Sequence, residues 1–342
     1  MKKVIAVTLA LPVVISAGVL FAQQAAVPPP WAYGFTAPAA PAAATPAPAP
    51  APAPAAAAAP AAAPDPTLRQ AAGSTLSFTA AQAGDRFGPA DWFPGDHPAM
   101  PDIVAHGKSA QQVIACSLCH YPNGQGRPEN AAVAGLPYDY IVQTLQDFRN
   151  GNRKSADSRK GNTNTMIAFA KAMSDDEIKA AATYFSSIKK QQLTKVVESE
   201  TAPKVRTNAG LFIALDGAAA GTEPLAGRII EVPEDNTQTE TLRNPRAPFI
   251  AYVPVGSVKK GQALVVQGQC AMCHGANLDG VGPVPGIAGR SASYVARQLF
   301  DIQQGARHGL WSELMKPVVA KLSTDDMTAI AAYTATLTPA AN

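Results

Sequence analysis

Cys116-Ser117-Leu118-Cys119-His120 recurs 154 residues later as Cys270-Ala271-Met272-Cys273-His274, and these two pentapeptides contain all four cysteines of the chain. A Cys-x-x-Cys pair followed by histidine is the pattern of covalent c-type haem attachment, in which both thiols bond to one porphyrin and the histidine binds its iron. The repeat therefore predicts two covalently bound haem c groups. We predict attachment through Cys116, Cys119, Cys270 and Cys273, with His120 and His274 as proximal iron ligands.

Two other kinds of site also use a Cys-x-x-Cys pair, namely a redox dithiol and a zinc site. A dithiol is expected in a thioredoxin-like βαβ context, which surrounds neither motif. A single zinc site would have to unite two distant motifs, and it would leave both histidines unexplained. Haem attachment is therefore favoured, and because it uses every cysteine we predict no disulfide.

The N-terminal segment has the features of a secretory signal. Met1-Lys2-Lys3 is followed by an apolar stretch over residues 4–22 that ends in small residues. We predict a signal peptide over residues 1–22 and a periplasmic protein, since c-type haem is attached outside the cytoplasm in bacteria. The stretch is also just long enough to span a bilayer, so an uncleaved inner-membrane anchor is the alternative.

The formal charge excludes one class of partner. Removing Lys2 and Lys3 with the signal lowers the net charge from +3 to +1. A nucleic-acid-binding protein is expected to carry a strongly basic face, so we predict no nucleic-acid partner.

Residues 23–64 are predicted to form a disordered spacer, because residues 37–64 are almost entirely alanine and proline. Such a segment is expected to be extended and semi-rigid, and would act as a stalk behind a membrane anchor or as a free tail. Residues 65–101 are predicted to form an extended arm that covers a domain surface with Trp92 and Phe93.

The chain repeats itself beyond the haem motifs. The same shift of 154 residues carries Tyr140 onto Tyr294 and Asp147 onto Asp301. This duplication predicts two domains, over residues 102–195 and 257–342. Each should have three helices: one leading into the motif (102–115 and 259–269), an amphipathic one (138–150 and 292–304), and a last one that starts after Ser174 or Ser323. The insertion between them, residues 196–256, should contain short strands at 210–215, 227–232 and 248–255.

Methionine is the expected ligand on the other side of each iron, because His/Met coordination suits an electron-transfer haem. Met166 and Met315 are predicted as these ligands, since each precedes its last helix by a matching distance, and each is expected in a loop. Met173 lies at a position that is Leu322 in the second repeat, so core packing is expected for it. His97 and His106 are the reserve ligands for the first haem.

These features resemble the tandem dihaem class I cytochromes c, in which one chain carries two cytochrome c domains. The resemblance rests on both haem motifs, the paired methionines and the last helices, and covers about half of the chain. It implies an all-α fold of two class I cytochrome c domains, here joined by a partly β or irregular insertion, with His/Met coordination of both irons. The spacer, the arm and the insertion depart from the family pattern and leave close packing between the two domains open.

The resemblance implies a periplasmic electron carrier with no catalytic residue and no small-molecule substrate. Its partners would be redox proteins: a dehydrogenase or quinol-oxidising complex as donor, and a respiratory cytochrome or oxidase as acceptor. One alternative is a dihaem cytochrome c peroxidase, which needs one open iron. Another is a membrane-tethered, electron-accepting subunit of a dehydrogenase.

One basic cluster bears on partners. It lies after the middle helix of the first repeat and consists of Arg149, Arg153, Lys154, Arg159 and Lys160. We interpret it as a solvated loop, with a docking surface for an acidic redox partner as the functional alternative.

Overall fold

The computed structural model describes residues 27–36 and 65–340 of the 342-residue chain. The signal peptide or anchor predicted for residues 1–22 lies outside these ranges. Across the two ranges, no helix has the length and apolar character needed to cross a membrane.

The arm contains one short helix, α1 (Ala80–Ala83), and otherwise runs as turns and extended chain. Its aromatic residues are buried against the insertion rather than against a haem domain. The indole Nε1 of Trp92 donates a 2.7 Å hydrogen bond to the carbonyl of Leu242. The ring of Phe93 packs 3.7 Å beneath the guanidinium of Arg246.

The first repeat forms five helices: α2 (Asp102–Ala105), α3 (Cys116–His120), α4 (Tyr138–Asn150), α5 (Gly161–Ala172) and α6 (Asp175–Ser186). The predicted helix α4 and the predicted start of α6 are confirmed. Ser174 caps α6 by accepting the N–H of Glu177, whose carboxylate accepts the N–H of Ser174 in return.

The continuous helix predicted over 102–115 is wrong. Helix α2 ends at Ala105, and Gly107 then adopts a φ of +64° at which a Cβ would come within 2.2 Å of the carbonyl oxygen of Val113. The chain therefore turns back on itself, with the N–H of Lys108 bonded to that carbonyl at 2.6 Å. Glycine permits this turn, which a helical pattern of apolar residues does not reveal.

The second repeat also forms five helices: α7 (Ser257–Gln267), α8 (Ala271–His274), α9 (Ala292–Gln303), α10 (Ser312–Val319) and α11 (Thr324–Thr336). Helices α7 and α11 cross at Gly261, where an added Cβ would lie 1.9 Å from the carbonyl oxygen of Ala329. Glycine therefore allows the two helix backbones to approach closely. Ser323 caps α11 in the same way as Ser174 caps α6.

The insertion is a β structure. It contains β1 (Thr194–Glu198), β2 (Thr201–Pro203), β3 (Val205–Asn208), β4 (Leu211–Ala214), β5 (Thr222–Pro224), β6 (Ile230–Pro233) and β7 (Phe249–Val253). β1 pairs in parallel with β7, which pairs antiparallel with β6, while β2 pairs with β5 and β3 with β4. Two further short strands, β8 (Gly280–Val281) and β9 (Val284–Pro285), follow α8.

The sheet of the insertion shares a hydrophobic core with the second repeat. Its apolar residues Ile230, Val232, Ala251 and Val253 pack together with Ala292, Val295 and Met327 of helices α9 and α11. All three predicted strand regions contain a strand. The others, such as β1 with its sequence Thr-Lys-Val-Val-Glu, were not predicted because their polar residues weaken the strand pattern.

Residues 27–36 are folded, so their assignment to a disordered spacer is wrong. A 3₁₀ helix over Pro30–Tyr33 buries Trp31 to 6% exposure and Tyr33 completely. The Tyr33 hydroxyl donates to Asp301 at 2.7 Å, and Arg297 donates to the Ala32 carbonyl at 2.6 Å. Burying large aromatic side chains stabilises this segment, by roughly 1.5–3 kcal/mol each, in a way that alanine and proline alone do not.

The Ala/Pro run of residues 37–64, for which a stalk or a free tail is expected, lies outside the described residues.

The two repeats contact each other directly, and the contacts have pseudo-twofold symmetry because matching residues of each repeat bond to the other. Arg153 of the first repeat donates to the hydroxyl of Tyr294 at 3.2 Å, and Arg307 of the second donates to the hydroxyl of Tyr140 at 2.7 Å. The backbone follows the same symmetry. The N–H of Lys154 donates to the carbonyl of Ala306, and the N–H of the matching residue His308 donates to the carbonyl of Asn152, which matches Ala306. The insertion therefore does not hold the two domains apart.

This contact corrects both interpretations of the basic cluster. Arg153 and Lys160 are buried, at 7% and 2% exposure. Arg149 donates to the carbonyls of Ala170 and Met173 and pairs with Asp175. Most of the cluster therefore serves internal packing, because its side chains point at other parts of the fold.

Lys160 is buried without a hydrogen-bond partner for its Nζ among the residues that the structure describes. Burial, with a smaller effect of nearby Arg297, lowers its pKa from 10.5 to about 7, although the carboxylates of Glu129, Asp301 and Asp157 act in the opposite direction. Since this folded-state pKa lies below the unfolded value, the folded state binds fewer protons between the two. The free energy of unfolding should therefore rise with pH from about 7 to about 10, and this gain is lost as pH falls through 7.

We expect Lys160→Met to flatten this rise and to increase the unfolding free energy at neutral pH by about 1 kcal/mol or more. Urea unfolding of the holoprotein at about pH 7 and about pH 9.5 would measure the slope. Lys154→Met, at an exposed position nearby, is the control and should retain the wild-type slope. A slope unchanged by Lys160→Met would contradict the assignment.

Candidate functional site

Each haem motif places its two thiols and its histidine on one turn of helix. Cys116, Cys119 and His120 lie within α3, and Cys270 directly precedes α8, which contains Cys273 and His274. Residues three apart on a helix lie on the same face, so both thiols of a pair can reach one ligand edge. The two motifs thus present the same group of side chains.

Both histidines are held by the same hydrogen bond. Nδ1 of His120 lies 2.8 Å from the carbonyl oxygen of Ala131, and Nδ1 of His274 lies 2.8 Å from that of Pro285. A carbonyl only accepts, so Nδ1 carries the proton in each ring and Nε2 is left with its lone pair. This arrangement is the one that orients a metal-binding imidazole.

Burial shifts the pKa of the histidines and of the cysteines in both motifs. It is the main cause that lowers the pKa of His120 and His274, so both imidazoles stay neutral and able to bind a metal. Burial also raises the pKa of the Cys116 thiol to about 12 and raises the pKa of Cys119 and Cys270.

The alternative of one zinc site for all thiols is not supported. The two cysteine pairs lie at separate helices in separate repeats. Within the described ranges, no three or more His, Cys, Asp or Glu side chains come together in a way that could hold a metal ion.

The two candidate distal methionines lie in helices, so the prediction that they lie in loops is wrong. Met166 is in the middle of α5 and Met315 in α10, and both are partly buried. Strong helix formers follow Met166 (Ala168, Ala170 and Lys171) and flank Met315 (Glu313, Leu314 and Lys316), which favours helix at both positions. Met173 is buried at 6% exposure in the core of the first repeat, as predicted.

The reserve ligand His97 has both ring nitrogens engaged elsewhere. Its Nε2 lies 3.1 Å from a carboxylate oxygen of Asp91, and its Nδ1 lies 2.9 Å from the carbonyl oxygen of Pro98. His106 Nδ1 lies 3.1 Å from the carbonyl of Phe87. The two contacts of His97 favour Met166 over that histidine, and the solvent exposure of His106 favours the partly buried Met166 over His106.

Comparison with known proteins identifies the family to which this chain belongs. A family model described as Cytochrome c matches the chain twice, at residues 104–189 and 258–338. Cytochrome c-554(548) of Halomonas halodenitrificans is 37% identical over 67 residues, which are 19% of this chain and 81% of that protein. The chain belongs to the cytochrome c family.

Two longer relatives match both cytochrome c domains at once. Cytochrome c4 of Azotobacter vinelandii is 27% identical over 242 residues, covering 69% of this chain and 89% of that protein. A thiosulfate dehydrogenase electron acceptor from Stutzerimonas stutzeri strain A1501 is 25% identical over 234 residues, covering 68% of this chain and 82% of that protein. The predicted pair of helical cytochrome c domains, the partly β insertion and the two covalent haem c groups are thereby confirmed.

Buried arginines of this cytochrome fit the acidic groups of haem. Arg153, Arg290 and Arg297 are 5–7% exposed where the domains meet. In the described part of the chain, no carboxylate lies within ion-pair distance of these three or of Arg307. Burying a guanidinium without a carboxylate is costly, so a carboxylate supplied by a bound group would stabilise it. Each haem carries two propionates of this kind.

Arg290 also links the second domain to the first haem motif. Its Nη1 donates to the carbonyl of Ala132 at 2.7 Å, one residue after the carbonyl that holds His120. This contact could not be found from sequence, because the position that matches Arg290 in the first repeat is Leu136 and the partner is a backbone atom.

Proposed function

We propose that the chain is a periplasmic dihaem electron carrier. In this proposal a dehydrogenase or quinol-oxidising complex delivers the electrons, and a downstream cytochrome or oxidase receives them. The observation that carries the proposal is the equivalence of the two sites. Both histidines are oriented by the same 2.8 Å hydrogen bond, and both helices before the last helix carry a methionine.

This equivalence favours a carrier over a peroxidase, because a dihaem peroxidase needs two dissimilar sites, one of them open to substrate. In the proposal, the residues that hold the first haem are Cys116, Cys119, His120 and Met166, and those that hold the second are Cys270, Cys273, His274 and Met315. Bound haem iron supplies the one-electron chemistry. The chain orients each imidazole, buries it, and offers a thioether that favours the reduced metal.

A dehydrogenase as donor is supported by the relative named as a thiosulfate dehydrogenase electron acceptor. The same relative supports the second candidate, in which the chain works as the electron-accepting partner of a dehydrogenase in a stable assembly. Co-purification with a catalytic subunit would distinguish this assembly from a freely diffusing carrier. In both cases the chain exchanges electrons with proteins and carries out no substrate chemistry.

The visible absorption spectrum of the oxidised holoprotein, with haem per chain quantified, tests the proposal. We expect two covalent haems and a far-red methionine-to-iron charge-transfer band with the intensity of two sites. A high-spin component, or a band of half that intensity, would contradict the proposal and favour the peroxidase.

A further inference from the structure

The peptide that follows the first haem motif carries two charges that the second repeat lacks. The shift of 154 residues places Arg127 and Glu129 on the uncharged Val281 and Pro283. The carbonyls that hold the two histidines match under the same shift, so the register is the same in the structure. Nη2 of Arg127 lies 2.7 Å from Oε1 of Glu129. This ion pair by itself adds no net charge to the first motif.

Arg243 adds a positive charge that no carboxylate balances. It belongs to the insertion, so the second repeat has no counterpart for it. Its guanidinium donates to the carbonyl of Leu118, which lies between the two cysteines of the first motif. Among residues 27–36 and 65–340, no carboxylate lies within ion-pair distance of Arg243. Two arginines and one glutamate therefore leave one net positive charge at this motif.

Tyr121 helps to hold Arg243 in place. Its backbone adopts a φ of +65° and a ψ of +155°, close to the +84° and +159° of the matching residue Gly275. Glycine enters this region freely, whereas residues with a side chain rarely do. The tyrosine ring is 3% exposed, and its centroid lies 5.8 Å from the guanidinium carbon of Arg243, within the range of a cation–π contact. The ring and the carbonyl of Leu118 together keep the cation at the motif.

The surroundings of Arg243 are poorly solvated. Asn123 and Gln125, which follow the motif, are 1% and 4% exposed, and the amide of Asn123 reaches the carbonyl of Pro245 at 3.4 Å. Burial, and after it the charge of Arg127, lowers the pKa of Arg243. An arginine nevertheless stays protonated in proteins. Its charge therefore acts through a medium that screens it less than water does.

The other cations near the two histidines balance each other. After burial, the charge of Arg153 lowers the pKa of His120, and the charge of Arg290 lowers the pKa of His274. Each histidine thus has one such arginine nearby. Glu129 acts on His120 in the opposite direction, but it is the partner in the ion pair described above. These residues do not distinguish the two sites in net charge.

The second motif has no cation that corresponds to Arg243. The only Asp, Glu, Lys or Arg in the sequence from residue 261 to residue 289 is Asp279, whose carboxylate accepts the backbone N–H of Ala340. The sheet of the insertion packs on α9 and α11 of this domain, through residues such as Val295 and Met327. The unbalanced positive charge is therefore a property of the first site.

We propose that Arg243 raises the reduction potential of the first haem above that of the second. Reduction removes one positive charge from a haem iron, so a fixed cation beside the site favours the ferrous state. In the half-reduced protein the first iron is ferrous and the second is ferric. The proposal rests on the proposed function and adds to it the order in which the haems are reduced and the residue that sets this order.

Spectroelectrochemical titration of the holoprotein, compared with its Met315→His variant, tests the order. An imidazole lacks the soft thioether that favours reduced iron, so this substitution lowers the potential of the second haem. We expect the lower of the two midpoints to fall and the upper one to stay, which assigns the upper midpoint to the first haem. A fall of the upper midpoint would overturn the proposal, because the second haem would then be reduced first.

The role of Arg243 is tested in the same Met315→His background, where the upper midpoint reports on the first haem alone. We expect Arg243→Met to reduce the preference of the electron for this haem about tenfold, which is about 59 mV for a one-electron couple. Arg243→Lys keeps the charge and should keep the midpoint. The shift should persist in 1 M salt, where the Debye length is about 3 Å, because Arg243 is partly buried.

Arg246→Met is the matched control in the insertion. Its guanidinium is paired with Asp96 and its side chain is 42% exposed, so both midpoints should stay at the values of the parent. Equal midpoints in Arg243→Met and in the parent, or an equal fall in Arg243→Lys, would overturn the role of the charge. The methionine band of the wild type reports separately on the proposed function. If that band has two-site intensity and Arg243→Met shifts nothing, the electron carrier stands and the role of Arg243 does not.

Discussion

Replacing Met166 with alanine is expected to remove half of the methionine-to-iron charge-transfer band of the oxidised holoprotein. The remaining half comes from the second site, where Met315 occupies the matching helix. The altered iron loses the thioether that favours its reduced state, so its reduction potential should fall. We expect a fall on the order of 0.1 V or more, within the range of about 0.8 V that axial ligands span. Visible spectra and a spectroelectrochemical titration measure both effects.

Met315→Ala is the reciprocal variant, and together the two substitutions should abolish the band. Met173→Leu is the control, because Met173 is buried in the core and its counterpart in the second repeat is Leu322. Leucine conserves the apolar volume there, so the band and both potentials should remain unchanged. Loss of the band in Met173→Leu, with retention in Met166→Ala, would mean that the ligand of the first haem has been assigned to the wrong methionine.

Helices could be predicted from sequence where the internal duplication and regular residue patterns indicated them. Helix α4 has apolar residues at helical spacing and a glycine at its end, and helices α6 and α11 have capping serines followed by acidic residues. These local signals act within a few residues, so the sequence reveals them. The same reasoning failed at Gly107, where the turn depends on a backbone contact with Val113.

Long-range packing explains the remaining failures. Trp31 and Tyr33 precede an Ala/Pro run, and contacts with distant residues such as Phe300, Arg297 and Asp301 make their segment part of the core. In the candidate site, the haem motifs and the paired methionines could be proposed from sequence. The carbonyls that orient the two histidines could not, because every residue carries a carbonyl and none marks its sequence position.

A charge reversal at Arg153 distinguishes two roles for this residue: stabilising the contact between the domains, or docking a redox partner as the sequence suggested. Arg153 donates to Tyr294, to Gln298 and to Thr144, and its guanidinium lies 4.7 Å from the ring centroid of Phe148. In Arg153→Glu a buried carboxylate replaces these donors where the two domains meet. We expect the free energy of unfolding to fall by about 3–5 kcal/mol, the usual cost of an uncompensated charge in a buried position.

Lys154→Glu provides the matched control, because Lys154 is the next residue, its side chain is exposed, and it joins the domains through its backbone N–H. Its unfolding free energy should stay within about 0.5 kcal/mol of wild type, as is usual for surface substitutions. Urea unfolding of the holoproteins at one pH measures both values. If Arg153→Glu were instead as stable as Lys154→Glu, and both slowed electron transfer only at low salt, the cluster would be a docking surface after all. The hydrogen bonds from Arg153 to Tyr294 and from Arg307 to Tyr140 support the expected loss of stability in Arg153→Glu, because each bond crosses from one repeat to the other.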